Sequence, residues 1–204
     1  MTDTLDPPAT AQHRLARAVT EVLAPPCLGA ATLLLLGWNA TGSAGLVDGA
    51  VAALFVTGIP YAVVIAGVLA GRWNDRMLTT RRQRIVPILS NIVCALVGLA
   101  VARATGAPDE IAAFVVAAIG TQALLFVVNL GWKISFHAGV SAGIALILAA
   151  ELGPWLALVL APLVVLICWA RVELREHTVA QVAVGAPLGG LALAGLYQVA
   201  LVSL

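Results

Sequence analysis

Charge is what this chain has least of: Asp, Glu, Lys and Arg make up 10% of its 204 residues, where soluble domains carry about a quarter. With 61% hydrophobic residues and a mean hydropathy of +1.02, a water-soluble globular class is excluded. Cysteine is scarce as well. Cys27, Cys94 and Cys168 fall singly inside apolar runs, a pattern that fits neither a disulfide framework nor a zinc site and leaves them as filler among packed helices. A secretory leader is not expected: the first twenty residues hold Asp3, Asp6, Pro7, Pro8, His13, Arg14 and Arg17, which read as a polar tail rather than the basic start and short apolar core of a cleaved signal. No cleavage is expected. Internal repeats, low-complexity tracts and linkers are also missing, and the connections are too short to hold a second domain. A net charge of +1 offers nucleic acid no electrostatic footprint.

What remains is apolar sequence, cut into pieces of membrane length. A hydrocarbon core of about 30 Å takes roughly 20 apolar residues per helix. Seven runs qualify or nearly qualify, over 22–38, 47–70, 85–102, 111–131, 135–150, 154–170 and 178–203. The fifth and sixth are the shortest, with only Glu151-Leu-Gly-Pro154 between them. The expected architecture is all-α: a polytopic transmembrane bundle of six to seven spans over 21–204, preceded by a polar tail over 1–20. Its surroundings are a bilayer, in all expectation a bacterial-type cell membrane.

Seven spans would bring the tail, the 71–84 loop and the gaps at 132–134 and 171–177 to one face. That face holds Arg14, Arg17, Arg72, Arg76, Arg81, Arg82, Arg84, Lys133, Arg171 and Arg175, leaving Arg103 alone opposite with Asp48, Asp109, Glu110 and Glu151. Basic loops remain on the cytoplasmic side, so the polar clusters are expected there, near enough to build one composite site.

Each cluster carries phosphate chemistry and an ordinary structural alternative. Gln181 follows His177 by one helical turn and could accept a hydrogen bond from one ring nitrogen, fixing the tautomer. An oriented neutral imidazole is a competent nucleophile toward phosphorus. Otherwise His177 is an interfacial residue and Arg171 a snorkelling anchor. In Lys133-Ile-Ser-Phe-His137, a helix start would offer backbone N–H groups, the Ser135 hydroxyl and the Lys133 cation to an anion, with His137 as general acid. Alternatively, Ser135 is a helix cap and Lys133 sits at head-group level. In the arginine loop, Arg82 and Arg84 could clamp one phosphoryl group, with Arg76 a weaker candidate. A solvated, topology-setting loop is the plainer account of the rest.

In order and spacing, these clusters resemble the signature of the type 2 phosphatidic acid phosphatase family, the membrane branch of the vanadium haloperoxidase-like superfamily. Its elements are K-x6-R-P, P-S-G-H and S-R-x5-H-x3-D. Ala170-Arg171, five residues, His177, three residues and Gln181 match the third; Ile134-Ser135-Phe136-His137 half-matches the second; Arg84, with Pro87 displaced, is what remains of the first. Gln181 stands where the family has Asp, Phe136 where it has Gly and Met77 where it has Lys. The resemblance covers roughly residues 76–185. It implies a lipid phosphate or prenyl diphosphate substrate and a phosphohistidine on His177. His137 would protonate the leaving group, and Arg171, Arg84 and Ser135 would hold phosphate oxygens. It implies no metal and no cofactor.

Two other readings stay open. Asn74-Asp75 followed by Arg82 and Arg84-Ile-Val-Pro87 looks like part of the first motif of the intramembrane prenyltransferases, which hold magnesium and diphosphate with aspartates from two motifs. A small transporter or scaffold would need the clusters only for topology.

Overall fold

The computed structural model describes residues 10–73 and 85–204. These form helices α1 (Ala11–Val22), α2 (Pro25–Thr41), α3 (Ser43–Ala53), α4 (Ile59–Leu69), α5 (Ile85–Thr105), α6 (Asp109–Gly131), α7 (Phe136–Leu152), α8 (Trp155–Glu173) and α9 (Val179–Leu201). A π-helical turn at Leu54–Gly58 joins α3 to α4 without a break. The described residues hold no strand, and the all-α bundle is as expected.

Among the described residues, five helices are long and apolar enough to cross a membrane: 43–69, α5, α6, α8 and α9; a sixth span arises if α1 and α2, bent by 43°, count as one. The run at 135–150 does become a helix, α7, which at 17 residues is at the short limit for a crossing and is not among those five. This is an integral membrane protein. Large apolar side chains such as Leu69, Leu158 and Leu191 face outward at 83%, 81% and 68% exposure, a surface that water would not tolerate and hydrocarbon does.

Residues 11–20, read with the polar tail, fold into α1. Thr10 caps it by accepting from the His13 N–H, and the apolar stripe of Ala16 and Val19 packs on Ile167 and Ala170 of α8. Polar residues on its other face keep α1 from registering as an apolar run. Pro25 and Pro26 then start α2, where a missing N–H costs nothing.

Tight turns reverse the chain between neighbours. Gly42, at φ +64°, is the whole connection between α2 and α3, and a Cβ on Gly49 would run into the Leu33 carbonyl. At the opposite end of the bundle from α2's start, Arg103 and Asp109 pair at 2.8 Å across the α5–α6 turn. Helix α6 is the central rod, 44% buried over its apolar window against 17% for α8, with Ile111, Ala113, Val115 and Ala117 fully enclosed.

Helices α7 and α9 meet backbone to backbone. A Cβ on Gly189 would stand 2.5 Å from Gly139 Cα, and one on Gly143 would stand 2.5 Å from Leu193 Cβ. Lipid supplies no hydrophobic force to drive two helices together, so van der Waals contact between small residues has to do so. The contact locks the starts of α7 and α9 side by side, and with them His137 and His177.

Candidate functional site

Helix α8 ends in a turn that sets the geometry of the third cluster. The Arg175 N–H donates to the Val172 carbonyl at 2.9 Å, while the Glu176 and His177 N–H groups both donate to the Arg171 carbonyl at 3.1 Å. This is a Schellman closure, with Arg175 at φ 54° in the left-handed place that glycine ordinarily fills. It folds the chain back so that His177 lies beside Arg171. Arg171 is 1% exposed and His177 6%. A guanidinium taken out of water costs several kcal/mol unless it is compensated. Its place in the last turn of α8 sets it against the negative end of the helix dipole, and Glu176 lies 3.8 Å away.

Thr178 opens α9 as its cap in a reciprocal arrangement. The Gln181 N–H donates to Thr178 Oγ1 at 3.3 Å, and the Thr178 N–H donates to Gln181 Oε1 at 3.1 Å. The second bond settles which end of the Gln181 amide is oxygen, because a backbone N–H needs an acceptor. That same oxygen lies 3.2 Å from His177 Nδ1. As Oε1 can only accept, this contact calls for a proton on Nδ1, the tautomer that in a neutral imidazole leaves the lone pair on Nε2. The one-turn spacing therefore acts as the sequence suggested, with a backbone constraint added.

The second cluster opens α7. Ser135 is its cap, accepting from the Ala138 N–H at 3.3 Å, and is fully buried against α9. Capping is thus what its hydroxyl does here, and Ser135 does not line the cavity described below. Lys133 is half-buried in the connection and also lies off the cavity wall. Arg76, Arg82 and Arg84, together with Asn74 and Asp75, lie outside the described residues.

His137, Arg171 and His177 meet on one cavity of about 510 Å³, whose wall also includes Glu21, Tyr61, Asn91 and Gln122. Its remaining lining is mostly apolar, with Val56, Val64, Ile88, Phe114, Leu125 and Leu193 among it. His137, Arg171 and His177 lie near the starts of α7 and α9, with Glu21 just before α2, while Tyr61, Asn91 and Gln122 bring polar groups to the wall from α4, α5 and α6. Leu193 lies fourteen residues into α9, about 21 Å further along. The cavity is thus a long apolar chamber with a cationic and imidazole-bearing end, sized for an organic ligand.

The wall residues Glu21, Asn91 and Gln122 were not anticipated. Asn91 and Gln122 did carry a signal, since an amide inside an apolar run is costly and faces protein or a cavity. The Gln122 amide reaches the Ile88 carbonyl at 3.5 Å. Comparison with known protein families, curated proteins and solved structures returned no match.

Proposed function

We propose that this protein is a lipid phosphate phosphatase of the membrane, hydrolysing a phosphomonoester or diphosphate of a lipid through a phosphohistidine. The observation that carries the reading is the convergence of His137, Arg171 and His177 on one mostly apolar cavity. The resemblance to the type 2 phosphatidic acid phosphatases supplies the roles.

In this reading the His177 Nε2 lone pair attacks phosphorus while the bond to the lipid oxygen breaks, and His137 gives that oxygen its proton. Water then attacks the phosphohistidine, His137 takes the water proton, and inorganic phosphate leaves with the His177 lone pair restored. Arg171 stabilises charge on the transferring phosphoryl group, where most of the rate enhancement in such reactions arises. The apolar chamber takes the lipid tail. The excess of arginine in the sequence between α4 and α5, with Lys133, Arg171 and Arg175, supports a reaction at the cytoplasmic leaflet.

Purified protein in detergent with EDTA is expected to release inorganic phosphate from phosphatidate or a polyprenyl diphosphate. The His177→Ala variant should lose on the order of a thousand-fold or more, as removal of an attacking group does elsewhere. Activity that needs magnesium and a prenyl acceptor would replace this reading with the prenyltransferase one. No release from any lipid phosphate would leave a transporter or scaffold.

A further inference from the structure

Neutral polar side chains stand in the cavity wall inside two of the apolar spans: Asn91 on α5, and Thr121 and Gln122 on α6. They have no part in the chemistry given to the histidines. Thr121 is 2% exposed, and its hydroxyl has no hydrogen-bond partner among the described residues. Gln122 directs one N–H to the Ile88 carbonyl at 3.5 Å, the long limit of such a bond, and has a second N–H to give. Polar groups left unsatisfied among apolar atoms are costly, and inside a membrane protein they mark a place where something polar binds.

Packing sets their depth. A Cβ on Gly139 would stand 3.3 Å from Leu125 Cδ1, so Leu125 is level with the first turn of α7, where His137 lies. Helix α6 runs toward that end, and Thr121 and Gln122 precede Leu125 by four and three residues. They therefore lie one helical turn, about 5 Å, deeper in the bundle. Asn91 follows Ile88 by three residues on α5, which runs inward from the same end, and the Gln122 contact with Ile88 ties the two helices at this depth.

From this placement we infer that Asn91, Thr121 and Gln122 form a specificity site that reads the ester linkage of a glycerolipid phosphate, by hydrogen bonds to its acyl carbonyls. The inference rests on the lipid phosphate reading for the head group. It adds what the chamber selects beneath that group. With phosphate at His137, Arg171 and His177, the ester carbonyls, a few bonds from phosphorus, come to the depth of these side chains. Amide N–H groups and a hydroxyl donate, and an ester carbonyl accepts. An ether-linked or isoprenoid chain has no carbonyl there, and a site built of buried donors rejects a ligand that leaves them unpaired.

The test compares dioctanoylglycerol phosphate with its dioctyl ether analogue, which lacks only the carbonyls. Affinity is read by isothermal titration of the full-length protein in detergent, in a His177→Ala background so that turnover cannot consume either lipid. The ester is expected to bind about ten-fold or more tighter than the ether, as the loss of neutral hydrogen bonds predicts. Asn91→Leu and Gln122→Met should each lower that ratio toward one while affinity for the ether holds. Thr121→Val, which keeps the shape of the side chain and so the packing, should lower it too. Equal affinity for the two lipids, no saturable binding of the ester, or a ratio unchanged in all three variants would overturn the site. Phosphate release with His177 intact is scored separately. Discrimination in binding without release would keep the ester site and end the phosphatase reading, and release with no preference for the ester would do the reverse.

Discussion

Gln181 accepts from two donors at once, the Thr178 backbone N–H and the His177 ring. A carboxylate would suit both better. Thr-x-x-Glu is the stronger capping pair, negative charge is favourable in the first turn of a helix, and a carboxylate beside an imidazole stabilises the imidazolium. Gln181→Glu is therefore expected to raise phosphate release by about ten-fold with no loss of thermal stability. A variant slower than wild type would show that the amide is not a deficit. At this scale the sequence was informative where spacing alone decides an outcome. His177 and Gln181 lie one turn apart, and the helix made them touch. It was uninformative about Ser135, because an N-cap and a phosphate ligand require the same hydroxyl at the same helix start; the structure shows the cap and the burial against α9. The left-handed Arg175 had no signal to read, since glycine is the usual marker of that turn.

At the level of elements, the α7–α9 contact holds the two histidine-bearing helix starts together. Gly189→Ala puts a methyl group against the Gly139 backbone and should destabilise by about 1–3 kcal/mol, as overpacking does. Because the helices then move apart at His137 and His177, phosphate release should fall with it. Gly195→Ala on the same helix is the control. Nothing lies within 4 Å of its added Cβ, so the gain in helix propensity, about 0.5–1 kcal/mol, is expected to dominate. Thermal unfolding in detergent separates the two, and equal shifts in both variants would refute the backbone contact. The apolar runs were legible as helices because their length and composition leave little else in a bilayer. The π-helical turn was not, although Pro60 marked where the regular ladder would be interrupted. Helix α1 was missed because its polar face breaks up any continuous apolar run.

Across the whole molecule, the connection at 132–135 and the turn at 174–178 belong to the end of the bundle where the cavity has its cation, and the α5–α6 and α7–α8 turns belong to the other. In a Cys27→Ser background, Trp132→Cys and Arg175→Cys are expected to react with a membrane-impermeant maleimide in inside-out vesicles. Asp109→Cys and Trp155→Cys should react in right-side-out vesicles. Labelling of 132 and 175 from opposite faces would break the topology, and labelling of both from the outside would reverse the proposed orientation. The meeting of His137 with Arg171 and His177 was legible from an alternation argument; the arginine cluster it also invoked lies almost wholly outside the described residues. The chamber they head was not, because its walls are the same Val, Leu and Ala that fill every other contact.

Helix α1 rests on α8 one turn from Arg171, with Ala16 and Val19 against Ile167 and Ala170. The end of α9 lies about 35 Å from His177, beyond all of this. An affinity handle or fluorescent fusion on the amino end would therefore pull on the helix that braces the guanidinium. One on the carboxyl end leaves that brace alone, and it is the terminus from which this protein should be purified and tethered.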